Sequence, residues 1–393
     1  MIRRLRRWWA VLPCTLAAVL AAAPPAAADQ IRDDEWHLDF LHVAQAHRIS
    51  QGDGVTVAVI DTGVNADHPD LAGNVLPGVD LTGADTKGQQ DVAKHGTAMA
   101  GLIAAHGHGP GGADGVQGIA PHAKILPIRV NQTEFAGKGS LPDAIETAIT
   151  DGAKVISISL ASGIDGALEH AVQDALDADV VIVAAAGNRP VDGSVIYPAR
   201  LPGVVAVGAI GRDGALAPIS MTGPEVVLAA PGVDVLSTCE HNAYCDGNGT
   251  SDATAIVSGA AALIRSKYPN LPAKEVVHRL TATATDKGAP GRDPEYGYGV
   301  LNLVAALTAN VPPESPAPAT SGPSSPGAAV SQPAAEPSID VSGAAPLKFS
   351  PLLFVCLGVV AVLFLGGVGV AVWLVVRARN KPPGPVTTRN PPT

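Results

Sequence analysis

The sequence predicts an α/β protein with a mainly parallel β-sheet flanked by helices, plus one C-terminal transmembrane helix. Three observations lead there. Short, nearly continuous apolar runs at 55–60, 125–130, 155–160, 180–184 and 204–209 read as strands covered on both faces. Helix-like stretches alternate with them, and that alternation builds a parallel sheet. Finally, a segment at 352–376 is apolar throughout and carries no charge.

The helices are expected at 95–105, 141–150, 167–178 and 251–267. Gly152 is placed to end the second. Asp143 and Glu146 mark its solvated face. The fourth reads SDATAIVSGAAALIRSK, small and apolar on nearly all sides, so it should be buried, and Pro269 stops it.

The flanks carry targeting signals. Arg3, Arg4, Arg6 and Arg7 precede an apolar run at 8–23 and the triplet Ala26-Ala27-Ala28. A basic start, a short apolar stretch and small residues make a secretory signal peptide, with cleavage expected after Ala28. At 1.5 Å per residue, 352–376 spans a bilayer of roughly 30 Å. Arg377, Arg379 and Lys381 follow it and hold the C-terminus in the cytoplasm, so the main domain faces outward. The expected organisation is a signal peptide at 1–28, an extension at 29–54 and the main domain at 55–311. A Pro/Ala/Ser-rich linker at 312–348, the membrane helix at 349–376 and a tail at 377–393 complete it. The linker has too few large apolar residues to offset the entropy of ordering.

Composition narrows the function. The 393 residues are 47% apolar, with a net charge of −10. No basic stripe exists to neutralise phosphates, so nucleic acid is excluded as a partner. Of the four cysteines, Cys14 and Cys356 lie in the terminal apolar segments. Cys239 and Cys245 remain, and in an oxidising compartment they read as a small disulfide loop. His106, His108 and Asp114 sit in a Gly-rich loop whose spacing reads as solvated, not as a metal site. No acidic cluster indicates structural calcium, and no cofactor is expected.

Three residues carry the chemistry of acyl transfer. Asp61 follows the strand VTVAVI, with Gly63 allowing a sharp turn, at the end of the sheet where such folds place function. His95 opens HGTAMAGLIAA, and Ser251 lies in GNGTSDATAIVSG; both are at helix starts. A serine hydroxyl becomes a nucleophile when a base takes its proton. Histidine titrates near neutrality and can do so, and a carboxylate orients the imidazole. An α/β-hydrolase arrangement fails, because Ala253 stands where glycine is needed and only His278 lies downstream.

The segments VAVIDTGV, HGTAMAG and GTSDATAIVSG resemble the three active-site signatures of the subtilases, in the family's Asp–His–Ser order. AAAGN, ending at Asn188, resembles its oxyanion segment. SISLAS, at 157–162, resembles the strand that binds the substrate backbone, and Tyr197-Pro198-Ala199 a family turn associated with a cis peptide. The resemblance covers residue 55 to about 303. It implies a subtilisin-like three-layer fold and a serine endopeptidase acting on proteins or peptides. It also implies Asp61, His95 and Ser251 as the triad, and Asn188 with the Ser251 N–H as oxyanion donors. Ser159, Leu160, Ala161 and Gly187 are the implied substrate-binding residues.

Four positions depart from the family pattern. Ala98 replaces a second histidine, Asp252 an apolar residue, Ala255 a proline and Ala161 a glycine. Asp252 is expected to slow the reaction by standing beside an oxyanion, and Ala161 to narrow the first side-chain pocket. Residues 29–54 leave no room for a folded inhibitory pro-domain. With the linker and membrane helix, this architecture is similar to the mycosins, serine proteases of type VII secretion systems. That likeness implies two roles, limited proteolysis of secreted substrates and a structural part in the secretion membrane complex.

Overall fold

A computed structural model describes residues 30–130 and 140–314. The chain divides into two units, Met1–Pro318 and Ala319–Thr393, and the second lies wholly outside the described residues. So do the expected signal peptide, membrane helix, tail and nearly all of the linker. Among the described residues no helix is long and apolar enough to cross a membrane.

The chain opens with three short helices, α1 (Gln30–Asp34), α2 (Trp36–Phe40) and α3 (Val43–His47). Strands β1 (Thr56–Asp61) and β2 (Val79–Asp80) precede α4 (His95–Ala104). A hairpin, β3 (His106–His108) and β4 (Asp114–Gln117), leads to β5 (Lys124–Arg129) and α5 (Ser140–Thr150). Then come β6 (Val155–Ile158), α6 (Gly166–Asp177), β7 (Val181–Ala185), β8 (Val205–Ile210) and β9 (Val226–Pro231). The hairpin β10 (Val233–Thr238) and β11 (Tyr244–Asn248) leads into α7 (Thr250–Lys267), α8 (Ala273–Ala282) and α9 (Leu303–Thr308).

Seven strands form one sheet in the order β2-β5-β1-β6-β7-β8-β9. Every pairing in it is parallel. Successive side chains of a strand point to opposite faces, and here each face meets a different layer. Val57, Val59, Val181, Val183, Val205 and Val207 pack toward α4, α7 and α9. Ala58, Ile60, Ile156, Ile158 and Ile182 pack toward α5 and α6. Both faces are therefore dry, which is why these strands read as unbroken apolar runs. Each large aliphatic side chain so buried contributes about 1.5–3 kcal/mol.

The expected strands and helices recur within a residue or two at most boundaries. The sheet also contains β2 and β9, which the sequence reading did not anticipate. β2 is too short to show a pattern, and the apolar run of β9, five residues long, ends at Pro231 and Gly232. β11 reads YCDGN, with no strand signal; its pairing with β10 and the Cys239–Cys245 bridge (Cα atoms 5.7 Å apart) hold it in place. The Tyr197–Pro198 peptide is cis, as is Arg189–Pro190. His106 and His108 lie on β3, where His108 Nδ1 is 2.6 Å from the buried Asp70 carboxylate. Among the described residues no group of three or more His, Cys, Asp or Glu is placed to hold a metal ion.

Residues 30–54 are not an appendage. Leu41, Val43 and Ala46 are buried in the larger core layer. Trp36 Nε1 donates to the Asp234 carbonyl at 2.9 Å, and Ser50 Oγ to the Leu263 carbonyl at 2.9 Å. Both Glu35 oxygens accept the Gln117 N–H, at 3.1 and 2.9 Å. Burial raises the Glu35 carboxyl to about 9, outweighing the opposing pull of that N–H and of Arg32. Burial lowers the His37 imidazole to about 3.

These two shifts bracket a pH window. An acid with a raised folded value stabilises fully below its unfolded value, and that contribution is lost as pH climbs toward 9. A base with a lowered folded value loses its contribution as pH falls from the unfolded value toward 3. Residues 30–54 should be held most firmly between the two ordinary values of 4.5 and 6.5. Amide exchange across pH should show them loosening toward pH 9, and Glu35→Gln should abolish that alkaline loosening.

One glycine sets how close the helix layer comes to the sheet. A Cβ at Gly96 would lie 2.1 Å from the Gly63 carbonyl and 3.1 Å from Asp61 Cβ. Gly96→Ala is expected to force α4 off the end of β1, destabilising by about 1–3 kcal/mol. Denaturant unfolding measures the loss, and peptidase activity should fall with it.

Candidate active site

Asp61 ends β1 and is 1% exposed. Its Oδ1 accepts the Thr62 N–H at 2.8 Å. Both of its oxygens face His95 Nδ1, at 2.8 and 2.9 Å. A carboxylate this close to one ring nitrogen selects the tautomer with the proton on Nδ1 and leaves Nε2 as the basic atom.

His95 is placed by a network that the sequence reading missed. The start of α4 has no side-chain cap, since Lys94 precedes it with φ +60°. Asp91 serves instead. Its Oδ2 accepts the Thr97 N–H at 2.8 Å and the Thr97 hydroxyl at 2.6 Å. Its Oδ1 accepts the Thr62 hydroxyl at 2.8 Å, and the Thr62 oxygen in turn accepts the Gly96 N–H at 3.0 Å. One carboxylate thus ties the turn after β1 to the first turn of α4. An acidic residue shortly before a helix start was the available signal.

Ser251 lies in the first turn of α7, after the backbone of Gly247 to Gly249. The neighbouring Thr250 fixes the segment that ends at Asn188. Its N–H donates to Asn188 Oδ1 at 2.9 Å, and its hydroxyl accepts the Gly187 N–H at 3.1 Å. With the carboxamide oxygen engaged by a donor, the Asn188 NH₂ is the end left for the cleft. The Asn188 N–H donates to Asp192 at 2.7 Å.

Two clefts meet at His95, Asn188 and Ser251. One, of about 120 Å³, is also lined by Ser159, Ala161, Gly187 and Asp192. The other, of about 260 Å³, is also lined by Lys94, Met99, Asp246 and Asp252. The structure therefore gathers Asp61, His95, Ser251, Asn188, Ser159, Ala161 and Gly187 into one region. It places the Leu160 side chain elsewhere, 1% exposed in the layer toward α5 and α6. Alternation along an extended segment sends Ser159 and Ala161 to the cleft and Leu160 inward. Asp252 is 4% exposed, and burial pushes its carboxyl up to about 7.

An imidazole held by a buried carboxylate, a serine at a helix start and an amide donor beside it, at the carboxyl end of a parallel sheet, define a serine endopeptidase of subtilisin-like fold. The chain belongs to the subtilase family, whose model matches residues 52–299. A thermostable alkaline protease of Halalkalibacterium halodurans is 39% identical over 270 residues, covering 68% of this chain and 72% of that protein. Among solved structures, MycP1 with its N-terminal propeptide removed aligns with a TM-score of 0.63 at 35% identity, covering 70% of this chain and 98% of that one. The MycP3 protease from the type VII (ESX-3) secretion system aligns with a TM-score of 0.58 at 36% identity, covering 70% and 88%. These structural neighbours are mycosins.

Two substitutions probe the geometry. Asn188→Ala is expected to lower kcat by about 10²–10³ with little change in KM. Asp61→Asn, which keeps the shape but favours the wrong tautomer, should lower kcat by about 10⁴. Steady-state hydrolysis of a fluorogenic peptide measures both.

Proposed function

We propose that this protein is a membrane-anchored endopeptidase working outside the cytoplasm, with Asp61, His95 and Ser251 as its catalytic triad, in a type VII secretion system. The observation that carries the catalytic part is the Asp61–His95 pair, facing clefts that His95 shares with Ser251 and Asn188. His95 Nε2 takes the Ser251 proton as Oγ attacks the peptide carbonyl. Asn188 NH₂ and the Ser251 N–H receive the oxyanion. His95 then returns the proton to the leaving amine, and water releases the acyl-enzyme by the same steps. Cys239 and Cys245 form a disulfide suited to an oxidising compartment. The signal peptide and membrane helix read from the sequence, and the mycosin neighbours, support the location and the secretion role.

A second reading is favoured by Asp252. A buried carboxylate next to the nucleophile suits a subunit whose structural part in a secretion membrane complex outweighs weak proteolysis.

The test for catalysis is labelling with a serine-directed fluorophosphonate. The full chain in detergent should be labelled at Ser251, and Ser251→Ala should not. No label, where a control subtilase reacts, would remove the catalytic reading. Ser251→Ala in a deletion strain separates the two readings. Loss of secretion at normal protein levels supports proteolysis, and full rescue supports the structural role.

A further inference from the structure

Under the proposed reading, the cleft containing Ser159, Ala161 and Gly187 holds the acyl side of the substrate. The cleft on the other side of His95 and Ser251 must then receive the residue that follows the scissile bond. That second cleft is acidic where acid is least expected. Asp252, one residue past the nucleophile, lines it while 4% exposed. Its Oδ1 is buried without a hydrogen-bond partner. Among the described residues no ion pair includes it.

The carboxylate is packed against backbone. A Cβ at Gly247 would lie 1.9 Å from Asp252 Oδ1, so only glycine there admits the side chain. The other charged or titratable groups lining the cleft are Lys94 and His95 from the start of α4 and Asp246 from β11. Lys94 and Asp246 are exposed. A buried carboxylate lacking both a cation and a full set of donors is unfavourable. Burial accordingly raises its pKa to about 7, with His95 pulling the other way. The first-turn position favours a negative charge on the helix, but solvation is still missing.

We propose that Asp252 is a specificity-determining residue on the leaving-group side, selecting substrates whose first residue beyond the scissile bond is lysine or arginine. The proposal rests on the proteolytic reading above. An incoming ammonium or guanidinium passes Asp246 at the mouth and meets the unpaired carboxylate inside. A charge-assisted contact there is stronger than one in water. A neutral side chain leaves the carboxylate unpaired, and an acidic one is repelled.

The test uses the full chain in detergent and quenched fluorescent peptides differing only at that residue: lysine, its uncharged analogue norleucine, and glutamate. At pH 8, kcat/KM for lysine should exceed that for norleucine by about tenfold, with glutamate poorest. The lysine advantage should shrink at pH 6, where Asp252 holds a proton. Asp252→Asn should cleave the lysine and norleucine peptides within about twofold of each other. A lysine advantage that is absent, that survives Asp252→Asn, or that does not change between pH 6 and 8 overturns the proposal. If Asp252→Asn does not fold, the pH dependence in the unaltered protein decides alone. Enzyme that labels at Ser251 but shows no preference sinks the specificity and spares the proteolytic reading. Enzyme that neither labels nor cleaves sinks both.

Discussion

The contact between the carboxyl end of β1 and the first turn of α4 sets the geometry on which the site depends. Asp61 sits on one side of it and His95 on the other, and their heavy atoms must come within 3 Å for the carboxylate to choose the imidazole's tautomer. That approach is possible because Gly96 has no side chain. It is locked by Thr62 and Asp91, which bond across the junction. Each of these groups is uncharged or hydrogen-bonded to the backbone. The site can therefore be rigid without a salt-bridge network.

The rest of the fold delivers Ser251 to that junction. α7 packs across strands β6 to β9 and is buried along most of its length. Its first turn supplies Thr250 to orient Asn188 and the backbone N–H of Ser251 to the same cleft. Ser251, its backbone N–H and the support of Asn188 thus move as one rigid body. The positive end of α7 favours negative charge beside Ser251. Asp252 acts against it whenever ionised, which places two opposing electrostatic elements within one helical turn. The segment from α1 to α3 closes the far side of the same layer, with its own buried acid and imidazole.

Much of this was legible in the chain. Parallel strands buried on both faces must be apolar throughout, so five of the seven appeared as runs. Asp61, His95 and Ser251 each sit at an element boundary, where turn glycines and small residues leave a local trace. Asn188 was readable because its segment resembles that of a known family. Asp91, by contrast, shows only as one more acidic residue. Its role exists because the Thr62 turn and the Thr97 turn meet, and nothing local encodes that meeting. β11 and the burial of Leu41, Val43 and Ala46 are similar cases, decided by partners remote in sequence.

The sequence by itself therefore determined the class of fold and the family, and it singled out the residues proposed to react, because these depend on periodicity and on residues next to one another. Only the tertiary structure decided which hydrogen bonds aim those groups, that Leu160 turns inward while Ser159 and Ala161 line the cleft, and that the Asp252 carboxylate is dry. Burial and orientation are properties of packing between distant segments, and a linear string carries them only after it has folded.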